Sequence, residues 1–201
     1  MTTFLAETFA DEVGHNSGAV TRSLVSTLGY VCGLMVTTMV SDVSDEARRD
    51  ALTGLENRRA WDESLIQMKG IQFSVAMIDL DGLKAINDFQ GHEAGDDHIK
   101  KFAGDLRAAI LEPGRAYRFA GDEYAVLLPR GSTESLREVL RNLADQQGVA
   151  KFSFGVANID ETDGDFAALV VKADERMYEM KRERKAAAAA AAAATTVATT
   201  N

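Results

Sequence analysis

The chain holds one cysteine, Cys32, and two prolines, Pro113 and Pro129, in 201 residues. A single thiol excludes an intramolecular disulfide framework and a cysteine-built zinc site, and it suits a reducing compartment. Scarce proline removes the commonest interruption of helices, so long helices are open to it. Positive charge is also in short supply, with 22 Lys and Arg against 31 Asp and Glu and a formal net charge of −9. Such a balance excludes a protein that grips nucleic acid by bulk charge. The three histidines, His15, His92 and His98, have no partners at metal-ligand spacing. What remains is ordinary for a globular protein: 46% hydrophobic and 26% charged residues. The length suits one domain with an appendage. A phosphorylated ligand of this chain has to be met by local cations or by a metal.

Three compositional zones follow one another. Residues 1–49 form a leader, residues 50–185 alternate helical and strand patterns, and residues 186–201 are nine alanines and a Thr-rich end. The leader contains 19 uncharged residues, Ser23 to Ser41, diluted by three Ser, three Thr and two Gly. Leu24, Leu28, Val31 and Met35 recur at the seam spacing of a helix that pairs with another helix. A dimerising helix is therefore expected at 23–49, with a membrane span through 23–41 as the alternative. No basic segment precedes it, since Glu7, Asp11 and Glu12 dominate the start, which argues against a secretory signal. The expected location is the cytoplasm, or the inner membrane by that anchor with the rest of the chain on the cytoplasmic side. The alanine run predicts an extension of the last helix, because alanine is the best helix former.

In the middle zone, helices are predicted at about Asn57–Met68, Asp96–Ile110, Ser132–Gly148 and from Asp165 onward. Strands are predicted at Phe73–Asp79, Ala116–Phe119, Glu123–Leu128 and Lys151–Ala157, the middle two joined by the hairpin signal Ala120-Gly121-Asp122. This order predicts an α+β fold, an antiparallel sheet with its helices gathered on one face.

Two acidic clusters then stand at strand ends: Asp79-Leu80-Asp81, and Asp122-Glu123 in the hairpin. Strand periodicity sends Asp79 and Asp81 to one side and leaves the Leu80 carbonyl between them. Carboxylates converging from neighbouring strands make the oxygen-only site magnesium prefers, with phosphate oxygens completing the octahedron. Gly82, Leu83 and Lys84 add backbone amides at a helix start and a point charge, both suited to phosphate. Asn87 and Asp96 are an amide and a carboxylate, groups able to read a guanine edge.

The segments Asp50–Arg59, Ile78–Asp88, Gly91–Asp96, Arg118–Tyr124, Ser153–Val156 and Ala173–Lys181 together resemble the successive signatures of GGDEF-domain diguanylate cyclases, over residues 50–185. The resemblance implies a palm-like, ferredoxin-like sheet shared with nucleotidyl cyclases and polymerases. It implies Mg²⁺, with Mn²⁺ as a substitute, ligated by Asp79, Asp122 and the Leu80 carbonyl, with Glu123 as a further acid that helps deprotonate a 3′-hydroxyl. Phosphates would be held by Gly82, Leu83, Lys84 and Lys181, and guanine by Asn87 and Asp96. Gly121 would let the nucleotide lie against a turn without a side chain. Two GTP bound by two facing subunits would yield cyclic di-GMP and two pyrophosphates, so a homodimer is implied. A non-catalytic nucleotide-sensing module and a cyclase making another cyclic dinucleotide are the alternatives.

Several positions depart from the family pattern. Ala120 and Tyr124 replace a glycine and a phenylalanine of the eponymous loop. The product-inhibition motif Arg-x-x-Asp is absent at Leu111-Glu-Pro-Gly114, so feedback there is not expected. Arg184 and Lys185 stand where Gly-Arg is usual, making Lys185 or a shifted Arg184 the second phosphate cation. The span from Pro129 to Lys151 has room for one helix only, and the alanine run replaces a terminal strand.

Overall fold

The computed structural model describes residues 46–198, together with Val31 and Met35, which are helical and exposed. The dimerising or membrane-spanning helix expected at 23–49 lies almost wholly outside the described residues. No helix among the described residues is long and apolar enough to cross a membrane. Two units divide after Ala47, and the second carries everything below.

Five strands form one sheet: β1 (Glu56–Asn57), β2 (Phe73–Leu80), β3 (Arg115–Ala120), β4 (Glu123–Pro129) and β5 (Phe152–Asn158), in the order β1-β3-β4-β2-β5. The helices are α1 (Arg58–Gln67), α2 (Leu83–Gln90), α3 (His92–Ala109), α4 (Thr133–Asp145) and α5 (Phe166–Ala198), with a 3₁₀ turn at Ile159–Thr162. The class is the α+β expected, and four strands pair antiparallel. The two-residue β1, which no periodicity could reveal, adds a parallel pairing to β3 and makes the sheet mixed. Ser132 caps α4 by accepting from the Ser135 amide. α3 begins at His92 rather than near Asp96, because Gly91 alone separates it from α2. α5 continues unbroken through the alanines to Ala198.

One expectation is corrected: the helices lie on both faces of the sheet. Ile99, Phe102 and Leu106 of α3 and Leu136, Leu140 and Leu143 of α4 pack with Ala76, Ile78, Tyr124, Val126, Phe152 and Phe154. On the other face Trp61 and Leu65 of α1 and Leu169 and Ala173 of α5 pack with Val75, Met77, Tyr117, Ala125 and Leu127. The physical reason is visible in β2, which is apolar at nearly every position and buried on both sides rather than alternating. Helix α5 comes very close to β5 at Gly155, where a β-carbon would clash with the Ala173 carbonyl.

Two ionic clamps orient the elements that carry the acidic clusters. Arg118 on β3 is only 7% exposed. Its guanidinium donates to Asp50 Oδ1 at 2.8 Å and, through Nε and Nη2, to the Gly121 carbonyl at 3.2 and 2.9 Å. Asp50 also accepts from the Thr53 amide and hydroxyl; burial opposes its charge, but these bonds and Arg118 outweigh that and lower its pKa. At the other edge Glu161 takes both Nη atoms of Arg176, at 3.1 and 2.7 Å, while Arg176 Nη1 also donates to the Val156 carbonyl at 2.6 Å. That fork ties α5 to β5.

Replacing Arg118 by Met strands the Asp50 carboxylate and releases the Gly121 carbonyl. Urea unfolding at neutral pH should show a loss of about 2–3 kcal/mol. Arg118→Lys should recover part of it, since an ammonium cannot reproduce the planar fork. An unchanged midpoint would remove the clamp from the account. For Glu161, hydrogen bonding to Arg176 lowers the pKa to about 2 from 4.5. A depressed carboxyl stabilises fully above its unfolded value and loses that contribution as pH falls from 4.5 toward 2. After solvent screening this amounts to ~1 kcal/mol, and Glu161→Gln should flatten the acid limb of stability within that window.

Candidate active site

The two acidic clusters meet because β2 and β4 are neighbours. Their register sets Asp79 opposite Glu123, and β5 sets Ser153 opposite Asp79 on the other flank. Opposed residues of an antiparallel pair have β-carbons about 4.5–5.5 Å apart, so Asp79 and Glu123 face the same side of the sheet as neighbours. Asp122 occupies the turn with Gly121, and its carbonyl accepts from the Leu80 amide at 2.9 Å. Gly121 has φ +51 with open space where a β-carbon would point, so the turn geometry itself asks for glycine. Asp79 and Asp81 both reach partners on the α5 side, while the Leu80 side chain is buried in the opposite core.

Charge at this end of the sheet is partly balanced internally. Lys181 on α5 donates to Asp79 Oδ1 at 2.5 Å. Burial raises the Asp79 pKa; Lys181 counters this, and the negative Asp122 and Asp81 add to it. Burial opposes the charge on Lys181, yet Asp79, Asp122 and Asp81 outweigh it and hold the ammonium protonated above its usual range. Asp81 accepts from Ser153 Oγ at 3.1 Å and lies 3.5 Å from Arg184 Nη1, which also donates to the Phe152 carbonyl.

A cavity of about 740 Å³ opens between the start of α2 and the face of α5. Leu80, Gly82, Leu83, Lys84, Asp122, Lys181 and Lys185 all line it. The first amides of α2 have no intrahelical partner and are directed to this end, where the helix dipole favours anions. Of the two expected second cations, Arg184 is held by Asp81 and Phe152, whereas Lys185 makes no ion pair or hydrogen bond among the described residues. Asn87 and Asp96 do not line this cavity. Asn87 lies against Gly95, next to Asp96, in the tight α2–α3 packing. Glu123 lines a separate, smaller cavity of about 290 Å³ with Arg58, Phe119 and Val171.

No three His, Cys, Asp or Glu side chains among the described residues stand close enough to hold one metal ion. The donor chemistry still fits magnesium. That ion binds through one or two carboxylates and completes its shell with water and phosphate, and oxygen donors are what Asp79, Asp122 and the Leu80 carbonyl offer. The Lys181 ammonium on Asp79 also marks this carboxylate as a place where a cation is stabilised.

Three features escaped sequence reasoning. Arg118 lies inside a recognised signature, but its clamp onto Asp50 spans 68 positions of chain. Ser153 holding Asp81, and Lys151 lining the large cavity, depend on β5 pairing with β2. The loop departures are accommodated: Ala120 is exposed, and the buried Tyr124 places its hydroxyl on the Ile99 carbonyl at 3.3 Å.

Comparison with known proteins bears on this arrangement. A family model described as diguanylate cyclase, GGDEF domain, matches residues 47–187. The chain is 33% identical over 159 residues to diguanylate cyclase VdcA of Vibrio cholerae, covering 71% of this chain and 46% of that protein. It is 35% identical over 159 residues to diguanylate cyclase DgcP of Pseudomonas aeruginosa, covering 71% and 24%. Its match thus spans from about a quarter to under half of these curated relatives. The coiled coil and GGDEF domain of DgcB from Caulobacter crescentus, solved in complex with c-di-GMP, superposes with a TM-score of 0.69 at 23% identity. That superposition covers 82% of this chain and 95% of the solved DgcB chain, and the two share a fold. With the family model spanning the sheet, both acidic clusters and the cation-lined cavity, the chain belongs to the GGDEF-domain family.

Proposed function

We propose that this chain is a diguanylate cyclase that condenses two GTP into cyclic di-GMP and two pyrophosphates, with catalysis in residues 50–185. The observation that carries the reading is the cross-strand pair Asp79–Glu123, whose chain neighbours Leu80, Asp81 and Asp122 line a cavity together with lysines. Paired acids beside such a cavity suit phosphoryl transfer to a hydroxyl. In each half-reaction the 3′ oxygen of one GTP bonds to the α phosphorus of the other. The bond from that phosphorus to pyrophosphate breaks, and pyrophosphate leaves with the electron pair. We assign the hydroxyl proton to Glu123.

Gly82, Leu83, Lys84, Lys181 and Lys185 hold the phosphates, and Asn87 and Asp96 read the guanine edge, with the base or sugar against the Gly121 turn. Asp79, Asp122 and the Leu80 carbonyl, with Glu123 nearby, would hold Mg²⁺ or Mn²⁺. When bound, the metal supplies charge that neutralises phosphate oxygens and eases ionisation of the attacking hydroxyl. Lys181 keeps the Asp79 carboxylate oriented and offers a cation to the departing pyrophosphate. Each subunit binds one nucleotide, so two subunits have to face each other, and residues 23–49 are the segment we assign to pairing them. GTP places the reaction in the cytoplasm. The Ala/Thr-rich residues 186–201 stand outside the chemistry.

Incubation of the purified chain with GTP and MgCl₂ should yield cyclic di-GMP by chromatography, with activity per subunit rising with protein concentration. Chelation by EDTA should abolish it. Asp79→Asn and Glu123→Gln should each lower the rate at least about a hundredfold. GTP bound without turnover at high protein concentration would leave a nucleotide-sensing module instead. A product containing adenine would keep the enzyme and change the substrate.

A further inference from the structure

Five cationic side chains line the large cavity: Lys84, Lys151, Lys181, Arg184 and Lys185. Two of them are already committed within the protein. Lys181 is bonded to Asp79, and Arg184 to Asp81 and the Phe152 carbonyl. The other three, Lys84, Lys151 and Lys185, are exposed, and their ammonium groups make no ion pair or hydrogen bond among the described residues. They come from three separate elements, the start of α2, the residue before β5, and α5. Lys151 is also held at its root, since its carbonyl accepts from the Asp81 amide at 2.9 Å, within the acidic strand end itself.

The acids in the same wall do not cancel this set. Asp81 is engaged by Ser153 and Arg184, and Asp122 sits at the turn where the metal is proposed. Only Asp88 remains as an exposed counter-charge in the lining. Three ammonium groups converging from three sides, each with three donors and none committed, match a ligand with several anionic oxygens rather than one.

We propose that Lys151 is a phosphate-binding residue of this chain, completing with Lys84 and Lys185 a three-lysine cradle for the polyphosphate tail of the nucleotide. The inference rests on reading the cavity as a nucleoside triphosphate site. Nothing in the spacing of the sequence points to Lys151. Its place follows from the antiparallel register that sets Phe152 opposite Leu80, bringing the start of β5 to the end of β2 where Asp81 and α2 begin. A cradle of this kind discriminates by phosphate number: loss of Lys151 weakens a triphosphate or tripolyphosphate strongly and a monophosphate little.

The test uses titration calorimetry on the full chain, with inorganic tripolyphosphate and with a GTP analogue whose α–β bridge is methylene, both with magnesium. Lys151→Met should weaken both probes about tenfold, the loss of one charge-assisted contact. Lys151→Arg should retain most of the affinity, and the surface variant Lys69→Met should bind as the unmodified chain does. GMP binding should barely change with Lys151→Met. In turnover the same variant should raise KM for GTP with kcat nearly unaltered. Unchanged affinity for both probes in Lys151→Met, while the unmodified chain binds them, places Lys151 outside the cradle. Failure of the unmodified chain to bind either probe instead overturns the reading of the cavity, and the cradle with it.

Discussion

The register of β2 against its two neighbours is the constraint on which the rest depends. Seven consecutive pairs join β2 to β4, and seven join it to β5. Because strand side chains alternate, a slip of one residue would turn Asp79 into the α3–α4 core and push Ile78 or Leu80 toward α5. Burial on both faces makes such a slip prohibitive. Ala76, Ile78 and Leu80 fill one core while Phe73, Val75 and Met77 fill the other. The apolar residues thus determine where the carboxylates stand. Asp79 is opposite Glu123 because the five apolar side chains preceding it on the strand, and their partners, have nowhere else to go.

That placement is costly on its own. A half-buried carboxylate beside two others resists ionisation, which is why the pKa of Asp79 is raised despite its lysine. The compensating cation comes from α5, and α5 is held to β5 by Gly155 and by the Arg176–Glu161 fork. From Arg176 the helix runs little more than a turn to Lys181. A helix repeats its face every three to four residues, so Lys181, Arg184, Lys185 and Ala188 are presented to the same cavity. On the other flank Arg118 ties the Gly121-Asp122 turn back to Asp50. The acids are therefore oriented by two clamps, one per cluster, neither of which includes them.

Much of this was legible in the residues. The apolar stripes located α1, α4 and the start of α5 closely, set the start of α3 four residues late and gave no bounds for α2; the strand spans differed by a residue, and the hairpin signal placed Asp122 at a turn. The acidic pairs and the lysine after Gly82-Leu83 are local, and local order is what periodicity and signature matching resolve. What was not legible is what arises from pairing at a distance. The two-residue β1 carries too few positions to alternate. The two-sided packing follows from sheet order, which single strands do not declare. Arg118 meets Asp50 across 68 residues, and Lys151 meets Asp81 across 70, only because the strands between them are stacked in one order. Asn87 and Gly95, by contrast, are near in sequence, and their close approach needed no more than two adjoining helices.

The choice between Arg184 and Lys185 shows how helix phase decides a role that sequence leaves open. Both fall on the cavity side of α5, but they differ in what lies within reach. Arg184 is three residues beyond Lys181, close enough to the end of β5 to donate to the Phe152 carbonyl and to approach Asp81. A guanidinium with those partners reinforces the strand end that carries the acids, and it has less to offer a ligand. Lys185 is four residues beyond Lys181, displaced along the same stripe and clear of β5. Its neighbour one turn on is Ala188, whose methyl forms wall without blocking the opening. An alanine run after Lys185 thus extends the helix past the cavity with small side chains. A negatively charged protein can accept a polyanion on these terms, because Asp79 and Asp81 are tied down at the strand end while lysines on three elements are left to face the opening.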